Sequence, residues 1–208
     1  MVTSLSGAPS GARAVARCDE LGAAPYSDEP GLLFRPYLGA GHGATLDRLA
    51  AWMREAGMSA RIDAAGNIVG RYEGLVADAP ALLVGSHVDS VRDGGRYDGM
   101  LGVVLGIEAV AGFAARGRRF AFAIEVIGFG DEEGSRFPVS MLATRAVAGA
   151  LDGQELDLRD GAGTTLAEAL ASFGLDVAQL AGAARRRDEI VAYVEAHIEQ
   201  GPVLEAED

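Results

Sequence analysis

The chain has 208 residues, a formal net charge of −12, 49% hydrophobic residues and 23% charged residues. This length supplies one sizeable core or two small ones, and the composition is that of a folding chain. The excess of acid repels phosphate backbones and anionic membranes, which argues against nucleic-acid and membrane partners. Cys18 is the single cysteine, so an internal disulfide and a cysteine-based zinc site are excluded. No apolar run reaches the roughly 18–20 residues of a spanning helix. Met1 to Gly22 lacks the apolar stretch behind basic residues that marks a secretory leader, and a cytoplasmic setting is expected.

In chain order, Ser10 to Leu21 reads as a helix with Ala14, Val15, Cys18 and Leu21 on one face. A loop follows at Pro25, Ser27, Asp28, Pro30 and Gly31, and Gly39 to Gly43 reads as a second break. Ala44 to Ala56 carries Leu46, Leu49, Ala50 and Met53 at helical spacing, with Gly57 as its stop. Ser59–Asp63 and Asn67–Tyr72 read as strands around an Ala64-Ala65-Gly66 turn. Ala81–Ser86 reads as a buried strand, and Gly102 to Ala115 as an apolar helix ending at Gly117. Phe120 to Phe129 is apolar on both faces, as an interior strand requires. A short helix is expected from Val139 to Ala148, and another after a Thr164 or Thr165 cap, stopping at Gly174. Ile190 to Ile198 closes the series as a strand. Strands alternating with helices predict an α/β domain, with a mainly parallel mixed sheet flanked by helices.

The chemistry gathers at three strand ends. His87 closes the third strand, where functional residues of α/β sheets collect. Asp89, two residues on, leaves the same face if the chain stays extended, and suits a carboxylate holding the ring nitrogen opposite a metal. Asp98 opens the next helix after a glycine-rich loop, and its two oxygens can bridge two cations. Taken alone, a histidine at the place of His87 is more often a polar loop residue than a ligand, and an aspartate before glycine, as at Asp98, is usually a turn or an N-cap. Phe120–Phe129 runs into Asp131-Glu132-Glu133, three consecutive carboxylates. They either lie on a solvated loop or are neutralised by a cation; in the second case one glutamate binds metal and its neighbour serves as general base. His197 follows the last strand and offers another neutral imidazole. A donor set of oxygen and imidazole without thiolate fits Zn²⁺ or Mn²⁺.

GSHVDSVRDGGRYDGMLGV (85–103), GFGDEEGSRFPVSMLATRAVAG (128–149), AHIEQGPVLE (196–205) and WMREAGMSARIDAAGNIVGRYEG (52–74) together carry a resemblance. The chain, from about residue 12, resembles the M20-type metallohydrolases, and within them the allantoate amidohydrolase/N-carbamoyl-L-amino-acid hydrolase branch. EEGSRFP and HIEQGP point to hydrolases of non-peptide C–N bonds instead of dipeptidases. The resemblance implies two divalent metal ions. His87 and His197 would be ligands of one, Glu133 of the other, and Asp98 the bridge, followed by a cis peptide at Asp98-Gly99. Glu132 would be the general base, Asp89 the partner of His87, and Gln200 a substrate contact. Water activated between two cations would attack a ureido or amide carbon, with Glu132 passing the proton to the departing nitrogen. The implied substrate is a small linear ureido compound, allantoate first and an N-carbamoyl-L-amino acid second.

Members of the branch are roughly double this length. Residues 1–208 are accordingly expected to be the N-terminal part of the catalytic domain of a two-domain enzyme. The smaller lid domain, through which the branch forms homodimers, would lie outside them, as would the last histidine of the second metal site. A non-catalytic remnant is the alternative from a different class.

Overall fold

A computed structural model describes residues 9–207. The leader expectation rests in part on residues 1–8, which lie outside the described residues. Among the described residues, no helix is long and apolar enough to cross a membrane.

The first helix, α1 (Gly11–Leu21), is capped by Ser10, whose hydroxyl accepts from the Arg13 amide. Ala14, Cys18 and Leu21 form its buried stripe. Helix α2 spans Ala40–Glu55 and starts inside the stretch expected to break. The Asp28 carboxylate accepts from the Gly41 amide and satisfies the helix N-terminus. A Cβ at Gly41 would lie 2.9 Å from an Asp28 oxygen. Glycine here admits a close neighbour and does not interrupt the helix.

Strands β1 (Ser59–Ile62), β2 (Ile68–Tyr72), β3 (Ala81–His87), β4 (Ala123–Phe129) and β5 (Ile190–Val194) form one sheet, ordered β1-β2-β4-β3-β5. β3 runs parallel to both β4 and β5, while β2 is antiparallel to β4 and to β1. Helix α3 (Met100–Ala115) makes the crossover between β3 and β4. Every residue of β4 is buried, including Glu125. That carboxylate is held by Arg71 at 3.1 Å and Arg185 at 2.7 Å, the neutralisation its burial demands.

α1, α2 and α3 cover one sheet face with Leu46, Leu49, Met53, Val103 and Ile107. Arg13 and Arg17 of α1 clamp the buried Glu108 of α3, at 2.5 and 2.9 Å. The other face carries Val69, Leu83, Ile127 and Phe129, against Val147 of α4 (Leu142–Val147). Helix α5 (Leu166–Ser172) has the expected Thr165 cap, completed by Glu168 into a reciprocal capping box. It joins Tyr37, Phe137 and Leu142 in a satellite cluster.

Several elements are shorter than their sequence patterns. β4 starts at Ala123, because Phe120 and Phe122 stack on each other ahead of the ladder. β5 leaves β3 after Val194, where Glu195 turns to accept from Ser86 Oγ at 2.6 Å and Tyr193 Oη at 2.7 Å. α4 starts only at Leu142, whose amide donates to Asp131. β5 is an edge strand, with Val191, Tyr193 and Val194 exposed. A short terminal helix, α6, covers Val203–Glu207.

His42 is fully buried in α2, stacked on Phe173 at 5.4 Å, and its Nδ1 accepts from the Leu38 amide. Burial, with the Arg35 and Arg136 charges, lowers its pKa to about 3. Between that value and the ordinary histidine range the unfolded chain binds the extra proton, so stability falls as pH falls, by up to about 1.4 kcal/mol per pH unit. Urea midpoints of His42→Asn should therefore be less acid-sensitive between pH 6 and 4 than those of the parent. An identical slope in both would remove His42 as the source.

Candidate metal centre

The parallel register sets His87 of β3 opposite Phe129 of β4. The chain segments that follow β3, β4 and β5 therefore leave the sheet on the same side. His87 is almost wholly buried. Its Nδ1 lies 3.1 Å from the Asp89 carbonyl oxygen and 3.4 Å from Asp89 Oδ1. Both partners only accept, so Nδ1 keeps a proton, and Nε2 is the nitrogen that a cation would bind on displacing the ring's second proton. Burial pushes the imidazole pKa down, but the Asp89 carboxylate outweighs it and raises the value to about 9.

Asp98 precedes α3. The turn into the helix is made at Gly99, with φ +63, and a Cβ there would sit 2.5 Å from the His87 ring. The only cis peptide among the described residues is Ala24-Pro25, so the cis bond expected at Asp98-Gly99 is trans. The left-handed glycine makes that turn without it.

His197 follows β5. Its Nδ1 is 2.9 Å from the Ile198 carbonyl oxygen, which again leaves Nε2 free. His87 Nε2, His197 Nε2 and Asp98 Oδ1 form a triangle with sides of 3.4, 3.3 and 3.6 Å. Tetrahedral ligands about 2.1 Å from one cation stand about 3.4 Å apart. The donor chemistry and the spacing therefore both fit a divalent cation such as Zn²⁺.

A second group joins His87 with Glu132 and Glu133, whose ligand atoms all lie within 4.8 Å of one another. Asp98 belongs to the first group only. Both its oxygens accept from Gln200 Nε2, at 2.8 Å each, which puts Gln200 on the carboxylate expected to bridge. Burial raises the Glu133 pKa; His87 opposes the shift, and the Asp89, Asp98 and Glu132 carboxylates add to it. Asp89 itself faces inward, accepting the Glu132 amide on Oδ1 at 3.0 Å and the Glu133 amide on Oδ2 at 3.1 Å. One buried carboxylate thus ties the β3 end to the acidic loop.

Asp131 is the member of the acidic run to which the sequence assigned no role. It is fully buried, and its Oδ2 accepts the Leu142 amide at the start of α4. Burial and the Asp89 charge raise its pKa to about 7. Only its position directly after a strand hinted at this use. A cleft of about 950 Å³ opens beside the site, with His87, Glu132 and His197 at one end and an apolar wall of Leu83, Val147 and Val191.

Residues 83–208 match peptidase family M20/M25/M40. The chain is 50% identical over 159 residues to an N-carbamoyl-L-amino acid amidohydrolase of Geobacillus stearothermophilus, covering 76% of this chain and 39% of that one. It is 39% identical over 196 residues to allantoate deiminase 1 of Glycine max, covering 92% and 40%. A hydantoinase/carbamoylase family amidase from Burkholderia ambifaria superposes with a TM-score of 0.84 at 36% identity, covering 96% of this chain and 48% of that one. The chain thus spans about two-fifths of the length of these curated relatives and about half of that solved structure.

His87→Ala and Asp98→Ala should each weaken Zn²⁺ binding by about tenfold or more, read as metal retained after dialysis or by calorimetry. Unchanged metal content in both variants would remove the basis of this site.

Proposed function

Because the chain belongs to peptidase family M20/M25/M40, we propose that it serves hydrolysis of a non-peptide C–N bond in a small linear ureido compound. Allantoate is the first candidate substrate. The triangle of two imidazole nitrogens and one carboxylate oxygen, beside a paired Glu132/Glu133 loop, carries this reading. The 50% identity to an N-carbamoyl-L-amino acid amidohydrolase favours the second candidate, an N-carbamoyl-L-amino acid. Both share a ureido carbonyl and release ammonia.

Family membership and the clustered His87, Asp98 and His197 support a metal cofactor. In our reading it would comprise two Zn²⁺ or Mn²⁺ ions: His87, His197 and Asp98 would hold one, and Glu133, with a share of the Asp98 carboxylate, would help to hold the other. Bound there, such ions supply Lewis acidity, polarising the scissile carbonyl and lowering the pKa of water. The chain's own residues do the rest. Asp89 keeps the His87 proton on Nδ1, so that Nε2 stays a donor. Its grip on the Glu132 and Glu133 amides fixes the backbone of the acidic loop, with the Glu132 side chain lining the cleft. Glu132 accepts a proton from the attacking water and delivers it to the departing nitrogen, which leaves as ammonia. In our reading Gln200 contacts the substrate once its amide nitrogen, which here donates to Asp98, has been released from that carboxylate.

Ammonia release from allantoate and from N-carbamoyl-L-methionine, with added Mn²⁺ or Zn²⁺, tests this reading. Glu132→Gln should lower release by about 10²–10⁴-fold with metal content kept. Retained turnover in Glu132→Gln would overturn its role as base. No release from either compound by the metal-loaded chain would favour the non-catalytic alternative.

A further inference from the structure

Arg35 lies in the loop between α1 and α2, far in sequence from the site residues, yet its side chain is only 2% exposed. All three guanidinium partners are neutral carbonyl oxygens. Nε donates to Tyr26 at 2.9 Å, Nη1 to Val88 at 2.8 Å, and Nη2 to Leu21. Burying a guanidinium against carbonyls alone is expensive, and a position that needed only filling would be apolar.

Its partners show where the charge is used. Val88 is the residue between His87 and Asp89. On the other side of Asp89, Ser90 pairs with the Arg35 backbone in both directions: Ser90 Oγ accepts the Arg35 amide at 3.0 Å, and the Ser90 amide donates to the Arg35 carbonyl at 3.1 Å. Arg35 therefore holds both neighbours of Asp89. Burial lowers the guanidinium pKa to about 10, with the Asp89 and Asp28 carboxylates pushing back, so it stays charged at neutral pH and adds to the field on Asp89.

We infer that Arg35 is a positioning residue for the metal centre: it fixes the 88–90 turn so that the Asp89 carboxylate meets the His87 ring and the Glu132 and Glu133 amides at once. Displacing that turn would move one imidazole ligand and the acidic loop together, although Arg35 touches neither. The inference rests on His87 being a ligand. Side chains that orient ligands are worth about 10–100-fold in metal affinity.

The test uses the full chain, with Zn²⁺ for affinity and Co²⁺ for the visible absorption of the coordination sphere. His87→Ala comes first: unchanged Zn²⁺ affinity there means the ligand assignment has failed, and the Arg35 inference falls with it for that separate reason. With His87 established, Arg35→Met should weaken Zn²⁺ binding by about tenfold or more and alter the Co²⁺ band. Leu49→Ala, a cavity in the distant helical core, should lower stability while leaving both readouts unchanged. Arg35→Lys, whose ammonium can bind the Val88 carbonyl but not all three acceptors together, should recover part of the affinity. Ser90→Ala, which removes one contact without touching the charge, should weaken binding by a smaller factor. A folded Arg35→Met with parental Zn²⁺ affinity overturns the inference. So does an equal loss of affinity in Leu49→Ala, which would make the effect one of general stability. If Arg35→Met does not fold, parental affinity in both Arg35→Lys and Ser90→Ala overturns it.

Discussion

Parallel pairing of β3 with β4 on one side and β5 on the other is the constraint on which the rest depends. Parallel strands end on the same side of a sheet, so residues far apart in sequence leave it at one place. His87, Glu132 and His197 need no long loops to meet, because the ladder has already brought their backbones close. The antiparallel β1–β2 pair lies on the opposite edge and contributes no metal-ligand candidate. Its Arg71 instead helps neutralise Glu125, which allows the central strand to keep a carboxylate inside. Site and scaffold thus use charge differently: the scaffold pairs its buried acids with arginine, while the site leaves several acids to a histidine and a cation.

That difference explains the electrostatics. Burial raises Asp131 and Glu133, with repulsion from the neighbouring carboxylates adding to it, while attraction to Asp89 outweighs burial and makes His87 hold its proton. A divalent cation relieves the same repulsion with more charge, and needs the imidazole Nε2 without a proton. Proton and metal compete for one electrostatic vacancy. Asp131, pulled aside to the α4 N-terminus, moves one acid away from that competition.

Much of this was legible in the sequence where residue type and position agreed. Buried runs with a polar end gave β3 and β4, a threonine ahead of an apolar run gave the α5 cap, and the strand-end acids and histidines gave the side chains that the structure clusters. What was hidden depended on long-range partners. Gly39 to Gly43 looked like a break because nothing local shows that Asp28 would reach across to the helix N-terminus. Glu125 sits within an apolar pattern, and its two arginines lie 54 and 60 residues away. Arg35 carries no local signature, since its acceptors are backbone carbonyls that every residue possesses. The contact between Gln200 and Asp98 could not be read either, because it joins residues 102 positions apart through an amide equally suited to a substrate.

The contact between Gln200 and Asp98 also bears on timing. Its amide nitrogen spans both oxygens of the carboxylate, so an ion taking either oxygen as a ligand would have to displace it. Exchange of that amide for an ion trades two neutral-donor bonds for a stronger charge interaction, which favours the ion at equilibrium but sets a barrier along the way.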